Sequence, residues 1–182
     1  MNTLKKIKEI SIILVGSWNT KIFTPGWVTK ELFELTQDEE FNVAFNNEMQ
    51  LSYKYCDVIL IPTDREVAIK IEKITKESII IANKITLKLI TTLPYTPNLL
   101  VGFNYKYTND CEIKDINIQN YSDKFTLNEV KLFKKENNFT LNVIISCGNT
   151  KLIVYNFHYN KISLITDKCI DEHIKYLEQY GR

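Results

Sequence analysis

A change of hydrophobic period constrains this chain more than any other feature. Phe41, Val43 and Phe45, then Leu51, Tyr53 and Tyr55, then Val67, Ile69 and Ile71 recur at every second position. Ile74, Ile81, Ile85 and Leu89 then recur at helical spacing, and from Leu99 to Tyr107 the alternation returns. Alternation turns one side of a strand to a core and the other to solvent, whereas the helical period marks one stripe of a cylinder. The pattern therefore predicts strands, a helix and strands again. Thr75 is a good N-cap for that helix, and Pro94, in Leu93-Pro94-Tyr95-Thr96-Pro97, ends it. Lys73, Glu77, Lys84 and Lys88 lie on another, narrow side. A helix this apolar is expected to lie across a sheet, covered on more than one side.

The flanking segments extend the theme. Ile10 to Val15 reads as a buried strand. Thr24-Pro25 starts a short helix with Val28, Leu32 and Leu35 on one side, since Pro at the first helical position has no hydrogen bond to lose. Asn46-Asn47-Glu48 and Pro62-Thr63-Asp64-Arg65 are turn signals around an antiparallel meander that includes Val58 to Ile61. In the second half Ile116 and Ile118 suggest a strand. Phe139, Leu141, Val143, Ile145 and Cys147 form one strand face, and Gly148-Asn149 reads as a two-residue hairpin turn. On the return strand Leu152, Val154, Asn156 and His158 oppose Ile153, Tyr155, Phe157 and Tyr159. Asp167 is the expected cap of a last helix striped by Ile170, Ile174 and Leu177, with Gly181 beyond its end. The fold class expected is α+β: antiparallel sheets with a long central helix and a C-terminal helix packed on them. Residues 1–182 form a single compact domain, and the halves 1–95 and 96–182 read as similar to each other.

The composition, 45% hydrophobic and 12% aromatic over 182 residues, provides for one sizeable core and excludes a disordered chain. The net charge is +1, and among 23 basic residues only Arg65 and Arg182 are Arg. Nucleic-acid recognition favours a marked basic excess and the planar Arg fork, so that class is set aside. Cys56, Cys111, Cys147 and Cys169 make no Cys-x-x-Cys pair and no zinc spacing with histidine. The apolar run at Ile10 is too short for a signal peptide's core and cleavage site, or for a membrane span. The expectation is a cytoplasmic protein with reduced thiols and no membrane association.

No Gly-rich phosphate loop, Gly-x-Ser-x-Gly elbow or His-Glu-x-x-His motif occurs. A Cys147–His158 dyad is disfavoured by counting outward from a two-residue turn. That register pairs Leu141 with Asn156 and puts His158 opposite Phe139, at the far end from Cys147. Asp64 with Glu66 and Asp171 with Glu172 read as solvated turn and helix-start charges. Catalytic, cofactor-binding and metal-ligating residues are therefore assigned to none. The binding candidates are Trp18 and Trp27, which bracket the loop from Asn19 to Gly26, together with Asn19, Asn104, Asn156 and His158. A Trp beside a loop serves either as an anchor for a partner or as a lid on a core edge. Asn and His on inward strand faces require a hydrogen-bonding reason.

Three groups of fragments together carry a resemblance. They are Val15-Gly16-Ser17-Trp18-Asn19 with Ile22-Phe23-Thr24-Pro25-Gly26-Trp27; Leu93-Pro94-Tyr95-Thr96-Pro97 with Gly102-Phe103-Asn104; and Asn156-Phe157-His158-Tyr159. In order and spacing the chain resembles a family of uncharacterised bacterial proteins of about this size over nearly its whole length. Trp18 stands where that family has Phe, Thr20 where it has Pro, and Tyr95 where it has His. The resemblance implies a fold and carries no activity. A fainter likeness in element order, a Pro-then-Trp segment, an antiparallel sheet and a long helix, is to SecB-type export chaperones, and it concerns architecture.

The function expected is a non-enzymatic protein-interaction or accessory module. A protein partner or self-association is expected, with no cofactor and no nucleic acid. The alternative is a small-ligand-binding protein or enzyme with a polar pocket around Asn104, Asn156 and His158, joined by Asn19. That alternative requires these side chains to converge on one cavity.

Overall fold

The computed structural model describes residues 7–36, 39–45, 50–97, 99–108, 129–147 and 151–180. Its strands are β1 (Ile7–Val15), β2 (Asn42–Phe45), β3 (Leu51–Tyr55), β4 (Val58–Pro62), β5 (Glu66–Ile71), β6 (Leu100–Thr108), β7 (Glu129–Lys135), β8 (Thr140–Cys147) and β9 (Lys151–Tyr159). They form one nine-stranded sheet in the order β2-β3-β4-β5-β1-β6-β9-β8-β7. Every neighbouring pair is antiparallel. The architecture is thus α+β with a single antiparallel sheet, where the sequence had suggested sheets in the plural.

Register turns alternation into two unlike faces. Leu60, Ile69, Ile12, Phe103 and Phe157 are cross-strand neighbours in one row, and all are fully buried. One residue along, the row is Ile59, Lys70, Ser11, Asn104, Asn156 and Asn142. Because side chains of successive residues point to opposite sides, the second row belongs to the other face. β1 follows the same rule: Ile10, Ile12 and Leu14 are buried, Ile13 is half-buried, and Val15 is exposed. The expectation of a strand buried throughout is corrected accordingly.

Helices pack on the first face. Helix α1, Pro25–Trp27, continues as a π-helical segment, Val28–Phe33. Thr24 Oγ1 accepts from Trp27 N–H at 3.3 Å as the expected cap. Glu34, with φ 55°, adopts the left-handed conformation that commonly ends a helix. Phe33 packs edge-on against Phe41 and Tyr55, and Tyr53 donates its hydroxyl proton to the carbonyl of Phe23.

Helix α2, Lys76–Thr92, begins with a reciprocal capping box. Thr75 Oγ1 accepts from Ser78 N–H at 3.1 Å, and Ser78 Oγ accepts from Thr75 N–H at 2.9 Å. The helix crosses β4 and β5 and touches the π-helical segment and helix α3, Cys169–Tyr180. Its buried stripe is Ile79, Ala82, Ile85 and Leu89 with Ser78, Asn83 and Thr86, so Ile81 lies at the margin. Thr86 satisfies its hydroxyl on the carbonyl of Ala82 at 2.8 Å. Both side-chain amide atoms of Asn83 are buried without a hydrogen-bond partner among the described residues. No described helix is long and apolar enough to cross a membrane.

Four sequence expectations are corrected. β2 is exposed along its length, because it is the terminal strand and has a neighbour on one side only. The β8–β9 register pairs Cys147 with Lys151, Leu141 with Phe157, Asn142 with Asn156 and Thr140 with His158. Three residues therefore separate the paired positions, not two, and the pairing shifts by one residue. Thr166, not Asp167, binds the chain entering α3, its Oγ1 accepting from Lys168 N–H at 3.2 Å. β7 was not anticipated, since its charged residues obscure a weak alternation. The expected turns at Asn46-Asn47-Glu48 and Gly148-Asn149, the strand at Ile116 and Ile118, and Gly181 lie outside the described residues.

Candidate functional site

The sheet's other face, uncovered in the sense that no described helix packs on it, holds most of the polar candidates. Asn156 Nδ2 donates to Asn104 Oδ1 at 2.7 Å, and Asn142 Nδ2 donates to Asn156 Oδ1 at 3.3 Å. This amide ladder crosses β6, β9 and β8. Asn142 was not among the sequence candidates, because the one-residue register error had put Leu141 beside Asn156. Gly102 lies on the same face, where an added Cβ would come within 3.2 Å of Asn156 Nδ2. His158, half-buried and cross-strand from Gly102, shares that face.

The other candidates sit elsewhere. Asn19 caps a short 3-10 turn, Thr20–Ile22, by accepting from Lys21 N–H at 3.2 Å. Trp18 is buried; its Nε1 donates to the carbonyl of Leu14 at 3.0 Å and its ring meets Phe23 edge-on. Trp27 is half-buried and also meets Phe23 edge-on. The loop is tied down by Trp18 N–H to Asp64 O at 2.9 Å and Ser17 N–H to Pro97 O at 3.1 Å. Gly16 is required here, since a Cβ would lie 2.9 Å from Thr96 Cγ2. The Gly16-Ser17-Trp18 and Tyr95-Thr96-Pro97 fragments, distant in sequence, thus meet. Asn104 and Asn156 come together, with His158 on their face; Asn19 is apart from them on the loop, between Trp18 and, on α1, Trp27.

A deeply buried titratable cluster centres on His173, which is not among the binding candidates of the sequence analysis. His173 on α3 stacks on Phe157, with ring centroids 4.0 Å apart, and meets Phe103 edge-on at 4.9 Å. Its Nδ1 is 2.8 Å from the Tyr105 hydroxyl and its Nε2 is 2.8 Å from the Tyr159 hydroxyl. A neutral imidazole fits both bonds: one tyrosine donates to the bare ring nitrogen and the other accepts from the ring N–H. Burial pushes the His173 pKa down to about 3 and both tyrosines upward. All three are neutral near pH 7, and both ring nitrogens are already engaged by the two tyrosine hydroxyls.

Two concavities border the helix-covered face. A groove of about 530 Å³ runs between the π-helical segment and α2, floored by Phe33, Tyr55, Ile80 and Ile81. On its rim Glu34 lies between Lys84 and Lys88. Hydrogen bonds from Lys84 and then Lys88 hold the Glu34 carboxyl at a pKa of about 2. The Tyr55 hydroxyl donates to Glu39 at 2.5 Å, which keeps that carboxyl below its usual range, helped by Thr36 N–H. A second hollow of about 460 Å³ lies against the β2–β3 edge, lined by Thr20, Phe45, Leu51, Pro62 and Asp64 among others. Neither hollow is lined by Asn104, Asn156 or His158.

Of the seven exposed large hydrophobic side chains among the described residues, four lie on the two terminal strands, and Val15, Ile80 and Tyr95 lie elsewhere. Val43 (43% exposed) and Phe45 (67%) are on β2, and Leu132 (52%) and Phe133 (70%) are on β7. Large apolar groups on terminal strands combine sticky surface with outward-facing backbone polar groups, which folded proteins generally avoid. No protein-family model matches the chain, and no match is found among curated proteins.

Proposed function

We propose that this chain is a non-enzymatic protein-interaction module that takes an extended segment of a protein partner along β2. The observation that carries the reading is the character of that edge. Asn42-Val43-Ala44-Phe45 contains no charge, is exposed throughout, and ends the sheet. An added strand would complete its hydrogen bonding, while the hollow beside Phe45 would receive an alternate side chain of the partner. The architecture supports the same role: one face supplies a rigid core, and among the described residues no strand pairs with the outer edge of β2.

On this reading the fold is two similar halves, each closed by a helix. β1 with β2 to β5 precedes the long central helix α2, and β6 with β7 to β9 precedes α3. The strand order supports it, because each half begins beside its own last strand: β1 beside β5 and β6 beside β9. The likeness to the bacterial family and to SecB-type chaperones would then be one of architecture.

The test is site-specific photo-crosslinking in cells that express the protein. A photoreactive residue at Val43 or Phe45 should capture the partner, whereas one at Ile59 on the uncovered face should not. Phe45→Glu should remove the partner from affinity-purified material without changing the far-UV circular dichroism. Partner crosslinks gathering away from β2, or binding unaffected by Phe45→Glu, would refute the proposal.

A further inference from the structure

The opposite edge points to a different occupant. Among the described residues β7 ends the sheet, with Glu129-Val130-Lys131-Leu132-Phe133-Lys134-Lys135, all exposed except the half-buried Val130. Its side chains are assigned to faces by the β7–β8 register. Leu132 lies opposite Val143 on the helix-covered face, and Phe133 lies opposite Asn142 on the uncovered one. Lys134 is engaged with Glu136 and Tyr176 at 2.6 and 3.0 Å.

We infer that β7 pairs antiparallel with β7 of a second copy of this chain, in the register centred on Leu132. The argument is one of symmetry and charge. A two-fold axis perpendicular to the sheet keeps each residue on its own face, so pairing is centred on a residue and never between two. Three central registers satisfy this. Centring on Lys131 sets Lys131 against itself. Centring on Phe133 sets Lys131 against Lys135. Centring on Leu132 sets Leu132 against Leu132, Lys131 against Phe133, and Glu129 against Lys135 twice over. Only the last places no like charges directly opposite, and it alone adds two opposite-charge pairs; like charges directly across a strand pair destabilise it. It also covers the two large apolar side chains that β7 leaves exposed, extending the core at Leu132 and laying a Lys131 stem along Phe133. The outcome is one continuous eighteen-stranded sheet (nine strands from each copy). A contact made through one strand is small, so the dimer is weak and concentration-dependent. This contact is independent of the partner proposed for β2.

The experiment is sedimentation velocity on the whole chain across about 1 µM to 1 mM, with charge reversals at Glu129 and Lys135. The wild type is expected to show reversible dimerisation. Glu129→Lys and Lys135→Glu should each weaken it by about tenfold, since two symmetric attractions become repulsions. The double variant Glu129→Lys/Lys135→Glu should restore the dimer to within about threefold of wild type, because the exchanged pair is again opposite in sign. A wild type that stays monomeric throughout the range overturns the inference. So does a dimer insensitive to both single reversals, or a double variant no better than the singles. Circular dichroism of each variant separates loss of pairing from loss of folding.

Discussion

The same two strands, β6 and β9, lead different lives on their two faces. On one, Phe103, Tyr105, Phe157 and Tyr159 surround His173 of α3 in a sealed aromatic cluster. On the other, Asn104 and Asn156 pair with each other and with Asn142 at the half-exposed surface. Adjacent residues in the chain thus belong to different energetic regimes. The covered face supplies burial, and each side chain removed leaves a cavity. The open face has hydrogen bonds that trade against water and net little. What a strand residue contributes here is set by what lies above it, not by its place along the strand.

That contrast gives three outcomes of decreasing size. Phe157→Ala removes the ring stacked on His173 and should cost about 3–5 kcal/mol in urea unfolding at pH 7.5. A loss under about 1 kcal/mol would mean that the covered face is not the source of stability.

The second concerns protons. Burial holds the folded His173 pKa at about 3 against an ordinary 6.5, so the folded state needs the neutral ring. Its contribution is complete above pH 6.5 and is lost progressively as pH falls toward 3, because the unfolded chain takes up the proton first. Stability should fall by about 2 kcal/mol between pH 7.5 and 5. That window lies above 4.5, the ordinary carboxyl value from which Glu34, Glu39 and Glu136 are all lowered by their hydrogen bonds. Urea titrations at the two pH values, repeated on His173→Gln, check it: the variant should be less stable at pH 7.5 but nearly flat across the interval.

The third and smallest effect belongs to the ladder. Asn104→Ala and Asn156→Ala should each cost less than about 1 kcal/mol, with a coupling between them of about 0.5 kcal/mol in a double-mutant cycle. A cost near that of Phe157→Ala would show that the open face is covered by something in solution.

Much of the fold was legible because period is a local property. The alternations in β3, β5, β6 and β9, the Thr24 and Thr75 caps and the stop at Leu93-Pro94 each depend on residues within a turn or two. The failures share one cause, which is that they depended on a neighbour. The β8–β9 register turned on the length of one loop, and a shift of one residue moved Asn156 from beside Leu141 to beside Asn142. The amide ladder was invisible for that reason. β2 alternates like a half-buried strand and is exposed because it received one neighbour and not two. His173 was no candidate and became the centre of a cluster because two tyrosines from different strands converge on its ring.

The sequence by itself settled many of the strands and helices, β7 apart, and the apolar side of most of them, since both follow from spacing along the chain. The tertiary structure decided the strand order, which strands end the sheet, and which polar side chains meet. Those outcomes rest on contacts between residues far apart in the chain, as when Asn104 binds Asn156 and Tyr105 binds His173, and no local pattern encodes a partner that distance alone does not fix.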